Sequence, residues 1–326
     1  MTSRRTVLKS AAVLGAAPAA WAAPSAAPAW PTRPLHLVVP FAPGGSSDFI
    51  ARLISKPLGD LLGTTVVVEN KTGANGIIGA AATAQATDDH TLLLSDMSSL
   101  AISPLVTKEM PYKPEQLKGV TMLAYSPHLL VAHPSVNASN IAELVALSRG
   151  KPMNAASSGS GSANHLGVVD IALRSGLKWQ HVPFRGGSAA LGDTAAGNTQ
   201  LCLNGMLATL PLVQAGRLKL IGVSKRTRMA LIGNVPTLAE QGLKDFESGT
   251  YQGVAVPASM APAVAERLAA ALVAVIRQPD VRARLTGAGA EVMTTTPKET
   301  TEFLQREGQR WAKVIQQAGA QLEGNV

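Results

Sequence analysis

Glycine, serine and aspartate cluster four times along the chain, each time between an apolar run and a helical pattern. The stretches are FAPGGSSD (41–48), LLLSDMSSLAI (92–102), NAASSGSGSANHLGV (154–168) and HVPFRGGSAALGD (181–193). A strand that turns through glycine into a helix points backbone N–H groups and the positive helix end at one place, which is chemistry for holding an anion. Each loop has a structural use as well. Gly44, Gly45, Gly186 and Gly187 permit positive φ in a tight turn, and Ser46, Ser47 and Ser162 are good N-caps. Asp48 can hold its own helix N-terminus or a ligand amine. His165 can donate to a ligand, cap a helix or pack in a core, and Arg185 either pairs with an acidic ligand or lies on the rim. Four similar loops favour a shared binding cleft over four unrelated turns, because parallel strands of a sheet end on one side.

Patterns for covalent chemistry are missing. GSGSAN (159–164) lacks the last glycine of a dinucleotide fingerprint, and the chain has no P-loop. No G-x-S-x-G elbow occurs; Ser160 and His165 suggest an esterase pair, but no third orienting group stands nearby in the sequence. The six histidines and the single cysteine show no metal-ligand spacing. Asp88 and Asp89 read as turn residues, and Cys202, in TQLCLNGM, as a buried strand thiol. The loops are expected to hold an anion without transforming it: no enzyme, no cofactor, no metal.

The elements that position these loops alternate. Residues 35–41, 64–70, 91–95, 129–134 and 251–257 read as strands; 50–62, 76–86, 139–150, 163–176, 261–278 and 297–319 read as helices. The order βαβα predicts an α/β fold of mostly parallel sheets flanked by helices. No low-complexity linker interrupts residues 31–326, so two domains must be joined by ordered crossings, expected near 122–130 and 248–256. The first residues, MTSRRTVLKSAAVLGAAPAAWAA, have the basic start, short apolar run and small-residue site of an export signal, cut near Ala22 or Ala23, with SRRTVLK matching a twin-arginine pattern. The expected destination is the periplasm. The net charge of +8 falls to +5 without Arg4, Arg5 and Lys9. With no basic blocks and only 4% aromatic residues, nucleic acid is not an expected partner.

WPTRPLHLVVPFAPGGSSDFIAR, VVVENKTGANGIIGA, SSGSGSANHL, HVPFRGGSAALGDTAAG, LIGVSKRTRMALIGNVPTLAEQGL and EFLQREGQRWAKVIQQAG together resemble Bug-type periplasmic solute-binding receptors of the tripartite tricarboxylate transporter family. The resemblance covers essentially the whole chain after the leader. It departs at Lys71 and Thr72, and at Asp89 and His90. It implies a two-lobed Venus-flytrap fold of type II with two crossing strands as hinge, one lobe of 31–127 plus 252–326 and another of 128–251. It also implies a carboxylate ligand held mainly by backbone groups. Carried onto this chain, the ligand loops are Phe41, Ala42, Gly44, Gly45 and Ser46; Ser95, Asp96, Met97 and Ser98; Ser157, Ser158, Gly159, Ser160 and Ser162 with His165; and Arg185, Gly186, Gly187 and Ser188 with Asp193. Asp48 joins the first set. Di- and tricarboxylates, aromatic acids and acidic amino acids all suit such a site. The expected role is a monomeric receptor that closes on its ligand and delivers it to an integral membrane transporter; an anion-sensing input protein is the alternative.

Overall fold

Residues 30–324 are described by a computed structural model, and the expected export signal lies outside them. Strand β1 (Leu35–Val39) is apolar at every position but His36, and it is buried on both faces. Leu35, Leu37 and Val39 pack under helix α1 (Ser46–Leu62) together with helices α8 (Pro262–Ile276) and α9 (Pro279–Gly287). Val38 faces the opposite side, against helix α2 (Ile77–Ala84). Side chains alternate with period two along a strand, so one apolar run supplies two layers of helix packing. Strands β2 (Val66–Asn70) and β3 (Thr91–Asp96) pair parallel to β1 on either side. Helix α3 (Met97–Val106) follows β3 directly.

A second group repeats the plan. Strand β5 (Met153–Ser157) pairs parallel with β6 (Trp179–Pro183) and with β7 (Leu201–Gly205). Helix α5 (Ala163–Ser175) covers one face, with α4 (Ile141–Ser148) packed beside it. Helices α6 (Gly187–Ala195) and α7 (Met206–Gln214) cover the other face, where Cys202 is fully buried.

Two strands join the groups. Strand β4 (Leu117–Ala132) runs for 16 residues, pairing with β9 (Gly249–Pro257) up to Pro127, and from His128 on with β7, joined from Leu129 by β8 (Lys219–Val223). The strand order is β2-β1-β3-β9-β4-β7-β5-β6, with β8 and the two-residue β10 (Glu291–Val292) on β4. Among the described residues every antiparallel pair of named strands involves β4 or β9. The result is the two-lobed α/β fold with paired crossing strands. Leu117–Lys118 and the stretch to Tyr125 look like an irregular passage by pattern alone. They form strand because β9 supplies the missing partner, with bulges absorbing the mismatch at Gly119/Thr121 and Met122/Ala124.

Helix α10 (Pro297–Ala318) starts on a capping box between Thr296 and Glu299. It runs from Phe303, beside Met97 and Met122, to Trp311, Val314 and Ala318 in the core of the second group. Residues 319–324 then lie along α5 and β6, where Gly324 bridges Gln180. Among the described residues no helix is long and apolar enough to cross a membrane.

Candidate functional site

Five strand-to-helix turns lie at the carboxyl ends of β1, β3, β5, β6 and β7, and they are capped in two ways. Helix α3 is capped by Asp96, whose Oδ1 accepts from Ser98 N at 3.2 Å, and α5 by Ser162, whose Oγ accepts from His165 N at 3.3 Å. The N-caps of α1, α6 and α7 are Gly45, Gly186 and Gly205, and none makes a side-chain cap bond. Ser46 is thus the first residue of its helix and not the cap. A helix leaves its first N–H groups without an intrahelical partner. In α7 the Leu207 N–H is taken by Ser126 Oγ at 3.1 Å, whereas α1 and α6 present amides and positive dipole ends to whatever lies before them.

What lies before them is a cavity of 40 Å³. At roughly 10–15 Å³ of free volume per water it has room for about three water molecules. All four sequence loops contribute to its lining: Phe41, Gly45, Ser46 and Ser47; Asp96 and Ser99; Ser158 and Asn164; and Gly187. The fifth turn adds Asn204, and the crossing strands add His128, Thr250 and Gln252. The first and fourth turns touch directly. Ser188 Oγ donates to Pro43 O at 3.1 Å, and a Cβ on Gly186 (φ +127°) would stand 3.3 Å from Ala42 N. Only glycine allows that approach, and the two halves are closed on each other.

Asp96 is the one charged side chain lining the cavity among the described residues. Burial pushes its carboxyl up to about 6, against the pull of donors from Tyr251 N, Ser99 Oγ and Ser98 N. His128 bonds Ser248 Oγ at 2.8 Å through Nδ1 and Thr250 Oγ1 at 3.2 Å through Nε2. Burial first, then Arg310, pushes its imidazole down to about 3, so it is neutral. Asn164 Nδ2 donates to Asn204 Oδ1 at 3.2 Å. Gln252 is fully buried and both atoms of its amide lack a hydrogen-bond partner.

Several sequence candidates stand behind the cavity. Asp48 accepts from Gly44 N, Arg52 and Asn70, which braces the first turn from below. Burial works to raise its carboxyl, but those donors together hold it below the usual range. Met97 packs on Met122 and Phe303, Ser95 Oγ turns to Asp96 O, and Ser98 Oγ donates to Glu307. Gly159, Ser160 and Arg185 line a separate 460 Å³ depression with Asn75, whose amide is also unpartnered. Asp193 lies past the first turn of α6, bonded to Asn198.

His165 accepts from Gly161 N at Nδ1 and donates to Leu322 O from Nε2. With both nitrogens committed it cannot act as base for Ser160. Ser157 does bond His181 Nε2 at 2.6 Å, and His181 Nδ1 bonds Glu323 at 2.6 Å. That line has the order of a hydrolase relay. Ser157, however, is 1% exposed and its oxygen already accepts Gly159 N–H, so a substrate carbonyl has no approach.

The seven cavity residues outside the family-derived site set divide by cause. Ser47, Ser99 and Asn164 sit one or a few positions from the residues that the family resemblance implies, inside the same motifs. Asn204 had a readable signal, an Asn-Gly pair ending the strand TQLCLNG before a helix. His128, Thr250 and Gln252 come from crossing strands and carry no local signal.

The descriptive model of the tripartite tricarboxylate transporter family receptor matches residues 50–320. Protein BugT of Bordetella pertussis is 34% identical over 307 residues, 93% of this chain and 94% of that protein. A solved R. palustris protein with adipate superposes with a TM-score of 0.85 at 29% identity, covering 89% of this chain and 98% of that one. MatC of Rhodopseudomonas palustris with bound malate gives 0.81 at 28%, covering 88% and 100%. The chain belongs to the tripartite tricarboxylate transporter receptor family, whose members are periplasmic solute-binding proteins.

Proposed function

We propose that this receptor captures a small organic carboxylate by closing lobes 31–127 plus 252–326 and 128–251 around it, and delivers it to an integral membrane transporter. One observation carries the reading: two glycine-started helix N-termini without a side-chain cap, α1 from one side and α6 from the other, meet at one cavity. Each such end favours an anion by about 0.3–1 kcal/mol, up to ~2 when partly buried. Direct amide bonds to a carboxylate add about 1.5–3 kcal/mol apiece. Ligand must prefer the closed form by roughly 5.5 kcal/mol to carry its population from 1% to 99%. Two or three amides contributed only on closure supply that.

The bound adipate and malate of the two solved relatives support the carboxylate class. Export to the periplasm by the leader and action as a monomer belong to the same proposal. A thermal-shift panel of di- and tricarboxylates, aromatic acids and acidic amino acids tests it. A ligand at 100 times its Kd stabilises by about 2.7 kcal/mol, a shift of several degrees. A panel in which no acid moves the transition would overturn the reading.

A further inference from the structure

We infer that the ligand carries an amine beside its carboxylate, so that the site takes an amino acid in preference to the matching plain acid; this rests on the carboxylate-receptor reading above. Asp96 on β3 and Gln252 on β9 are direct cross-strand partners, which places them on one face of the sheet within contact range of one group. Both line the cavity and both are buried.

Asp96 Oδ1 accepts from Tyr251 N and Ser98 N, while Oδ2 accepts only from Ser99 Oγ. A carboxylate accepts about four hydrogen bonds, so one site on Oδ2 is open. Gln252 offers an unused acceptor and two unused donors beside it. Leaving such an amide buried and unpaired is costly, and a plain carboxylate satisfies only its donor half.

An anion set against ionised Asp96 is also repelled. An ammonium removes both problems: it donates to Asp96 Oδ2 and to Gln252 Oε1 and neutralises the buried charge. Gln252 Nε2 then donates to the neighbouring ligand carboxylate, whose other oxygen meets the helix amides. The cavity offers amides at the starts of α1 and α6 and a carboxylate at Asp96, and a zwitterion uses both.

Isothermal titration at pH 7.5 with two matched series tests this, succinate, L-malate and L-aspartate against glutarate and L-glutamate. The expected result is an amino acid bound at least tenfold tighter than its plain partner, and L-aspartate tighter than L-malate. Asp96→Asn retains the helix cap and should cut that ratio below about threefold. Gln252→Met keeps the side-chain shape and should also reduce the ratio, while raising the melting temperature of the ligand-free protein. Plain acids bound as tightly as amino acids, or a ratio unmoved by Asp96→Asn, would overturn the inference and leave the carboxylate reading standing. Binding by no member of either series would overturn the inference, and the carboxylate reading falls with it only if the tricarboxylates and aromatic acids of the thermal-shift panel fail as well.

Discussion

Replacing Asp96 by asparagine isolates the electrostatic character of the cavity floor. The fold raises the Asp96 carboxyl from 3.8 to about 6, chiefly by burial, with the nearby Glu307 carboxylate adding a smaller push in the same direction. At ~1.4 kcal/mol per unit, a shift of roughly two units corresponds to about 3 kcal/mol. The sign follows from which form the fold prefers. A folded-state value above the unfolded one means that the native protein holds the proton more tightly. The stabilisation is fully present below pH 4, is lost as pH rises through about 6, and is gone above pH 7. Asparagine keeps an acceptor for Tyr251 N and Ser98 N and has no charge to titrate. Urea unfolding of both ligand-free proteins between pH 4 and 8 measures the effect. The stability of the wild type relative to Asp96→Asn should fall by about 3 kcal/mol across that range, with most of the change between pH 4 and 6. Carboxylates that do not interact with Asp96 are common to both proteins and cancel, which leaves the smaller Glu307 coupling inside the measured difference. Parallel curves, or a wild type that gains on the variant as pH rises, would refute the reasoning. Saturating L-aspartate, if it binds as inferred, should flatten the difference, because an ammonium favours the ionised carboxylate.

Gly205→Ala introduces a Cβ 2.8 Å from Thr250 Oγ1 and 3.0 Å from Ser46 Oγ, at a φ of −56° that any residue adopts; ligand affinity should weaken at least tenfold by calorimetry with an unchanged far-UV spectrum. Glu307 accepts from Ser98 Oγ and Trp311 Nε1, each at 2.8 Å, so Glu307→Ala strands two buried donors between α3 and α10 and should cost about 2–4 kcal/mol in denaturant unfolding. Burial pushes the Cys202 thiol up to about 12; an aromatic disulfide reagent should leave it unmodified in the native protein and label it fully in 8 M urea, counted as roughly one thiol per chain.

Much of the architecture is legible in the chain because the signals are local. LHLVV, TLLLS and the helical spacing of Ile50, Leu53, Ile54 and Leu58 mark β1, β3 and α1 through burial of alternating or helical faces. Asn140 and Ser162 announce the starts of α4 and α5 by their own side-chain bonds. The turn at 41–48 reads as an anion-holding loop because glycine before a helix leaves amides uncapped, a property of a few adjacent residues. The two-residue β10 shows the limit: AEVMTTT has strand composition, but only Glu291 and Val292 find a partner on β4.

Sequence alone determined the βα units, the glycine turns that end them and the family resemblance. Tertiary structure decided which turn residues face the cavity. Asp96 and Met97 are neighbours in the chain, yet one lines the site and the other packs on Phe303, since a helix start sends successive side chains in different directions. It also brought Gln252 beside Asp96 from 156 positions away, through the antiparallel register of β3 with β9. A register between distant strands is set by the packing of the whole sheet, and no window of sequence around either residue contains it.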